Sequence, residues 1–415
     1  MRKNIAVIGG GAAGQLAAAE AGRCGNRVTL FEKNEKLGKK LYITGKGRCN
    51  LTNDCGRDGF FRNVIQNPRF LYSAYAAFNE KDIMQYVEAQ GTPVKVERGQ
   101  RVFPVSDKSS DVMRALERGV RQAGVDVRLH TRVTELITEP AEGGEKGPAK
   151  RITGIRANGE ILPFDSVILC TGGVSYPSTG STGEGLLLAK ALGHTVTPLY
   201  PSLVPLETAE AWPKALSGLT LKNVSLTAEK GGKTLYREQG EMLLTHFGVS
   251  GPLVLTASAY LAGRAEGAKL YIDFKPALTP AQLSEKIDRA IAESPKKTLE
   301  GALGGILPAR LLAAVLAEAG VQETQRAAEA SRSLRERIAA TLKAMPLTVK
   351  AVRPFTEAVV TRGGISVKEV NASTMESRLV RGLFFAGEML DVDAFTGGFN
   401  LQIAWSTGVL AGRNA

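Results

Sequence analysis

The chain contains no run of about 18 apolar residues, so no segment reads as a membrane span. Only four cysteines occur in 415 residues (Cys24, Cys49, Cys55, Cys170), and only three histidines. None of the cysteines forms a C-x-x-C pair. This scarcity argues against a zinc or iron–sulfur centre, and no metal is expected. It also fits a reducing compartment, so a cytoplasmic location is expected. Aromatic residues make up 6% of the chain. No internal repeat is visible. A secretion signal is not expected either. Arg2 and Lys3 precede an apolar run, but six successive glycines and alanines, Gly9 to Gly14, stand where a leucine-rich core would be needed.

Acidic residues are in deficit. Asp and Glu number 41 against 53 Lys and Arg, for a net charge of +12. That balance favours a polyanionic partner: nucleic acid, a phosphorylated substrate or an anionic surface. A generally basic but inert surface explains it equally well. The cations gather at 33–48, 114–132 and 326–350, and Arg335 and Arg337 in the last group are expected to face a polyanion.

The informative feature is at the N-terminus. Residues 5–8 are a short apolar strand. Gly9, Gly11 and Gly14 follow in G-x-G-x-x-G spacing. A helix-like stretch runs over 15–23, and a second strand over 28–31 ends at Glu32. Strand, glycines, helix, strand and acid in this order form a dinucleotide-binding βαβ unit. Gly9 permits the tight turn, Gly11 lets backbone approach a pyrophosphate, and Gly14 lets helix lie on strand. The helix start, with Ala12 and Ala13, offers unpaired N–H groups to phosphates. Glu32 can accept from both ribose hydroxyls, which argues against a 2′-phosphate there. Lys33 beside it is a further contact candidate.

Strand and helix alternate after this unit. Residues 111–122 read as a helix with Val112, Leu116 and Val120 on one face, followed by a strand at 125–129. Another strand starts at 132–136. The Gly, Glu and Pro of 139–150 read as a hairpin tip. Asn158-Gly159 between two apolar runs is a two-residue hairpin signal. An apolar strand follows at 166–170. The character changes after Pro198. Short strands separated by Gly and Pro occupy 199–274, and 279–343 is almost wholly helical. There Leu283, Ile287 and Ile291 recur at i, i+4, i+8, as do Leu334, Ile338 and Leu342. The expected domains are 1–197 (cofactor domain, first part), 198–277 (inserted β domain), 278–345 (inserted helical domain) and 346–415 (cofactor domain, second part).

Three later segments carry chemistry. The apolar strand 167–170 ends in Thr171-Gly172-Gly173, where glycine lets the chain turn against a flavin. The run 382–388 delivers Gly387 and Glu388, with Asp391 just beyond, to ribityl or ribose hydroxyls. Gly397, Gly398, Phe399, Asn400 and Leu401 then open the last helix, whose N-terminus would favour negative charge at a flavin pyrimidine edge. Residues 37–53 (LGKKLYITGKGRCNLTN) read as a loop laid along the cofactor, with Lys39, Lys40, Lys46 and Arg48 as anion candidates. Some lysines in or beside this stretch are expected to be simply solvated, Lys36 first and Lys46 after it.

The blocks LGKKLYITGKGRCNLTN, TGGVSYPSTGSTGEG, THFGVSGP, TRGGISVKEVN-STMES and GLFFAGEMLDVDAFTGGFNLQIAWSTG together resemble one bacterial flavoprotein family. Its members bear the names aminoacetone oxidase-like FAD-binding enzyme, 3-dehydro-bile-acid reductase and ribosomal RNA dihydrouridine synthase. The resemblance covers nearly the whole chain. It implies an α/β fold: a split Rossmann-like FAD domain of glutathione reductase type, with an inserted β domain and a small helical domain. It also implies non-covalent FAD and contacts from the 39–50 loop (Gly45, Cys49 and Asn50 included), Val133, Gly172, Gly173, Gly387, Asp391 and 397–401.

The first functional expectation is hydride addition to a polarised C=C bond, with NADPH or NADH as transient reductant. Uridine in ribosomal RNA and an unsaturated 3-oxo bile acid both offer that bond, and the net charge favours RNA. Amine oxidation ranks lower because aromatics for a cage are few. Disulfide reduction ranks lowest, since five residues separate Cys49 from Cys55. An RNA-binding protein with merely structural FAD is the non-enzymatic alternative. The proton donor stays open. Cys49, His246 and Tyr176 are candidates only through their glycine-rich surroundings. Oligomeric state also stays open.

Overall fold

The computed structural model describes residues 2–141 and 148–415. The chain forms two units, Met1–Pro201 with Phe355–Ala415, and Ser202–Pro354.

In the first unit β1 (Asn4–Ile8), α1 (Ala12–Arg23) and β2 (Arg27–Phe31) follow one another as the glycine motif requires. They belong to a five-stranded parallel sheet. Its order is Leu383–Phe385, Ser166–Leu169, β1, β2, Asp126–Arg128. Ile5, Ala6 and Val7 are fully buried, so this central strand reads as a continuous apolar run and not as an alternation. Leu383–Phe385 thus lies in one sheet with β1, from the opposite end of the chain, which is the split domain expected of the fold class.

Between Asp126–Arg128 and Ser166–Leu169 the chain makes an antiparallel excursion through Val133–Pro140, Lys150–Ala157 and Glu160–Pro163. Asn158 and Gly159 both have positive φ, 48° and 91°, as a two-residue hairpin turn demands. The tip expected over 139–150 lies partly outside the described residues.

The amphipathic helix Ser109–Gln122 buries Val112, Leu116 and Val120. The last helix, Phe399–Asn414, lies unusually close to α1. A Cβ at Gly408 would fall 2.4 Å from the Ala13 carbonyl oxygen, and one at Gly412 equally close to that of Ala17. Small residues on both helices make this approach possible.

The second unit departs from the expected division. Its six strands close a barrel in the order Leu206–Thr208, Gly248–Ser250, Lys233–Thr245, Thr220–Lys230, Lys269–Asp273, Met345–Val352, all neighbours antiparallel. The return to the first unit therefore comes at Phe355 and not at 346. Met345–Val352 is needed to pair Lys269–Asp273 on one side and Leu206–Thr208 on the other; without it both would be open edges. The helices Pro280–Glu293, Ala309–Glu318 and Arg332–Lys343 share one hydrophobic core with the barrel, Leu283, Ile287, Leu312, Leu334 and Ile338 packing with Leu226, Leu270 and Leu347. The β and helical parts are one unit, not two.

Arg335 and Arg337 do not stand free for a polyanion. Arg335 pairs with Asp288 at 2.9 Å, and Arg337 donates to the Ala319 carbonyl at the end of a neighbouring helix. No helix among the described residues is long and apolar enough to cross a membrane.

Candidate functional site

The glycines of the first turn divide into two kinds. Gly9 has φ +101°, and a Cβ there would lie 2.6 Å from the Cys170 carbonyl oxygen. A Cβ at Gly14 would lie 1.8 Å from the Gly9 oxygen. Both positions are glycine because the protein itself fills the space. Gly11 differs. Its φ of −76° suits any residue, and a Cβ there meets no described atom within 4 Å. The opening beside Gly11 lies at the start of α1, ahead of Ala12 and Ala13. Among the described residues no side chain caps this helix, and its first turn holds no acid. Its first N–H groups are left for an anion.

Glu32 closes the turn. Its buried carboxylate accepts from the Gly10 N–H at 2.8 Å, and from the Asn34 N–H and side-chain amide at 2.8 and 2.7 Å. A carboxylate has about four acceptor positions, so capacity remains for a hydroxyl. Lys33, expected at the cofactor, is instead taken up by Glu184 at 3.0 Å and Thr182 at 2.8 Å. Val133 is buried at the start of its strand.

The 37–53 segment is not a simple loop. It folds as a short helix, Lys39–Ile43, and a tight turn, Thr44–Gly47, in which Gly45 and Lys46 are left-handed. Lys40 reaches Ser175 Oγ at 2.6 Å and Glu388 Oε2 at 2.8 Å. Glu388 Oε1 accepts from Ser175 Oγ and from the Thr361 N–H. Lys39 pairs with Glu35 at 3.3 Å, and Lys46 is exposed. Arg48 has partners within the protein. It bonds Glu97 and Asp107 and stacks 4.1 Å from the centre of the Phe103 ring, so its charge is already matched within the protein.

The end of this segment is bolted to the last helix. Trp405 Nε1 donates to the Leu51 carbonyl at 2.9 Å, Thr52 Oγ1 to Gln402 at 2.7 Å, and Asn53 to the Gly397 carbonyl at 3.0 Å. With its amide oriented to satisfy its neighbours, Asn50 donates to the Thr52 and Val102 carbonyls and accepts from the Gly398 N–H. Gly398 has φ +99°, and a Cβ there would strike the Thr52 carbonyl at 2.4 Å. Asn400 pins the preceding turn through the Ala394 and Phe395 backbone. Phe399 packs toward Phe60, and Leu401 is half-buried.

The Thr-Gly-Gly turn adds a third side. Thr171 Oγ1 lies 3.2 Å from Met389 Sδ. Gly172 has φ +74°, and a Cβ at Gly173 would lie 2.4 Å from Thr361 Oγ1. The Gly387 N–H donates to Thr407 Oγ1. Asp391 is buried, and burial raises its carboxyl above the ordinary range against the opposing pull of Thr197, Arg362, Gln66 and Asn67. Ser175, Thr361 and Asn34 are the contributors that sequence reading passed over. Two of them sit inside blocks singled out for other reasons, and nothing in local spacing marks them.

The proton-donor candidates fare unequally. Cys49 is fully buried, and burial pushes its thiol up to about 12; it is a structural thiol. All four cysteines are free. Tyr176 is half-buried with φ +50°, strained for a side chain of its size, just beyond Ser175. His246 is exposed on the barrel unit, against Phe247. Low overall aromatic content also conceals a local cluster. Phe60 stacks on Tyr75 at 4.5 Å and packs toward Phe399, while Phe61 meets Tyr72 edge-on at 4.7 Å.

The HI0933-like protein Rossmann domain family matches residues 3–414. The chain belongs to this family. It is a family of FAD-dependent oxidoreductases. The chain is 34% identical to a 3-dehydro-bile acid delta(4,6)-reductase of Clostridium scindens, over 99% of this chain and 98% of the relative. It is 32% identical to a ribosomal RNA dihydrouridine synthase of Haemophilus influenzae (97% and 95% covered) and 30% identical to one of Escherichia coli (98% and 96%). Among solved structures, a 3-ketosteroid delta1-dehydrogenase from Sterolibacterium denitrificans shares the fold, with a TM-score of 0.52 at 15% identity over 99% of this chain and 98% of that one.

Proposed function

We propose that this HI0933-family protein uses FAD, reduced by NADPH or NADH, to saturate a polarised carbon–carbon double bond, and that its substrate is a uridine of ribosomal RNA. The observation that carries the cofactor reading is the opening beside Gly11 at the uncapped start of α1, with Glu32 behind it. The residues fit the group. The α1 N–H groups would hold the pyrophosphate, Glu32 the adenosine ribose, and the Lys40–Glu388–Ser175 cluster with Gly387 the polar middle of the cofactor. FAD, when bound, supplies the hydride. The chain's own part is to orient the pyrimidine ring, exclude water and favour negative charge near the N-terminus of Phe399–Asn414.

Two considerations support RNA as substrate. Relatives from two organisms carry the dihydrouridine synthase name at 32% and 30% identity. The net charge of +12 suits a phosphate backbone. A second reading, reduction of an unsaturated 3-oxo bile acid, has its own support in the 34% identical relative.

The deciding experiment is anaerobic. The yellow protein is bleached with NADPH or NADH, then offered ribosomal RNA, a 3-dehydro-4,6-diene bile acid, aminoacetone or oxygen. Fast reoxidation by RNA with dihydrouridine formed supports the first reading. Fast turnover of the bile acid with an inert RNA replaces it by the second.

A further inference from the structure

A cleft of about 440 Å³ opens on the first unit between the helix Gly56–Arg62 and the turn at Pro68–Leu71, lined by Arg57, Asp58, Phe61, Arg62, Pro68 and Tyr72. Its composition is unusual for this chain. Tyr72 is 46% exposed although it is a large ring. Phe61 meets it edge-on at 4.7 Å, and the Arg57 guanidinium lies 5.7 Å from the Tyr72 ring centre. Arg57 and Arg62 are exposed, and among the described residues neither forms a salt bridge, unlike Lys33, Lys40, Arg48 and Arg335. An open aromatic face beside two guanidiniums without a carboxylate partner, Arg62 donating only to the Asp58 carbonyl among the described residues, is the chemistry of a nucleotide site. The ring stacks a base, the arginines take the phosphate, and Asp58 can accept from a ribose hydroxyl.

The cleft's position agrees. Phe61 also packs on Tyr75, Tyr75 on Phe60, and Phe60 toward Phe399, the first residue of the last helix. A run of ring contacts, Phe61 to Tyr75 to Phe60 to Phe399, therefore links the cleft to the helix N-terminus assigned to the flavin pyrimidine edge. The same wall is tied down by backbone bonds from Ile65 to Asp393 and from Phe395 to Asn63. A nucleotide in the cleft would lie next to the reacting base and not in its place.

We propose that this cleft docks a nucleotide of the RNA strand adjoining the reacting uridine, its base on Tyr72 and its phosphate on Arg57 and Arg62. The proposal rests on the RNA reading given above. The same chemistry could come from NADPH or from a coenzyme A ester, and the test separates these sources.

The test uses the full-length flavoprotein with three variants: R57E/R62E, Tyr72→Ala and Tyr72→Phe. A fluorescent single-stranded ribosomal RNA fragment is titrated at several salt concentrations. Flavin absorbance, the rate of bleaching by NADPH, and turnover of a bile-acid coenzyme A ester are followed in parallel. Loss of one stacked base predicts about five-fold weaker RNA binding or more for Tyr72→Ala, with Tyr72→Phe near wild type. Loss of two phosphate contacts predicts a salt slope shallower by about 1.4 for R57E/R62E. Flavin content and NADPH bleaching should be unchanged. Wild-type RNA binding untouched by any variant would overturn the cleft assignment alone. So would a defect confined to the NADPH or coenzyme A ester arm, which would give the cleft to that source. A wild-type protein that neither binds nor reduces RNA would overturn the substrate reading, and the cleft assignment with it.

Discussion

Lys40 Nζ lies 2.8 Å from Glu388 Oε2, joining residues 348 positions apart in the chain. The pair fastens the segment after β2 to the turn after the last strand of the sheet, and both side chains are about three-quarters buried. Lys40→Met leaves the Glu388 carboxylate short of its cation while keeping Ser175 and the Thr361 N–H. A charged hydrogen bond of this kind contributes about 1.5–3 kcal/mol, discounted here toward the lower figure by partial exposure. The variant should melt earlier and retain less flavin after gel filtration. Wild-type melting together with wild-type flavin content would show that the pair neither braces the fold nor serves the cofactor.

Glu32 has two duties that one substitution separates. Glu32→Ala removes the acceptor of the Gly10 N–H and both Asn34 donors. Unpaired buried donors cost about 1–3 kcal/mol, so the flavin-free protein should itself lose stability. Glu32→Gln keeps a carbonyl oxygen for one set of donors. Its amide N–H groups then face the other set, so it should be less stable than wild type but more stable than Glu32→Ala, and bind FAD more weakly. Denaturant midpoints of flavin-free protein, set beside FAD titrations, distinguish the two effects. Equal FAD affinity in both variants and wild type would remove Glu32 from the cofactor site.

His194 predicts a pH dependence unrelated to catalysis. Its ring is buried beside Phe385, with Nδ1 3.2 Å from Glu369 and Nε2 2.9 Å from Ser377. Burial lowers its pKa, outweighing the opposing pull of Glu369. The folded protein keeps His194 neutral where the unfolded chain would protonate it. Its contribution is therefore complete above about pH 6.5 and is lost as pH falls below that value. Urea midpoints at pH 7.5 and 5.5 should fall apart for wild type and converge for His194→Gln, even though the variant is less stable at both.

The thiols should report the same burial. Cys24 is exposed, Cys55 is half-buried with its thiol pushed up by desolvation, and Cys49 and Cys170 are buried. A thiol reagent should label Cys24 quickly, Cys55 slowly, and the other two only on unfolding. Rapid labelling of Cys49 in the native protein would contradict its structural role.

The βαβ unit was legible because its parts are contiguous. Gly14 is set by the Gly9 carbonyl and Glu32 by the Gly10 N–H, both within one supersecondary motif. The hairpin at Asn158-Gly159 was legible for the same reason. What escaped was set by distant partners. Arg48 looked like an anion ligand until Glu97 and Asp107 met it, and Lys33 until Glu184 did. Ser175 and Thr361 gained meaning only when Glu388 was placed between them. The boundary expected at 346 cuts through a barrel strand, Met345–Val352, in which Pro346 pairs opposite Tyr271. The cleft at Tyr72 was hidden by averaging, since aromatics scarce over the whole chain are concentrated over Phe60–Tyr75.

Gly11 and Gly14 give a sharp test of which glycine serves the ligand and which the fold. A methyl at Gly14 would lie 1.8 Å from a backbone oxygen of Gly9, and neither atom belongs to a flexible side chain that could swing aside. Gly14→Ala must displace α1 from β1, and overpacking of this sort costs about 1–3 kcal/mol or more. It should lower the melting point with or without flavin. A methyl at Gly11 meets no described atom within 4 Å, and the backbone there already has φ −76°. Gly11→Ala should cost the flavin-free fold less than about 1 kcal/mol, since only a helix-capping preference is affected. The methyl would enter the space assigned to the pyrophosphate, so FAD affinity should fall at least about ten-fold, or 1.4 kcal/mol. Melting curves of flavin-free protein and FAD titrations of both variants check this. A Gly11→Ala protein that keeps wild-type FAD affinity would place the pyrophosphate elsewhere, and the reading of α1 as its cradle would have to be given up.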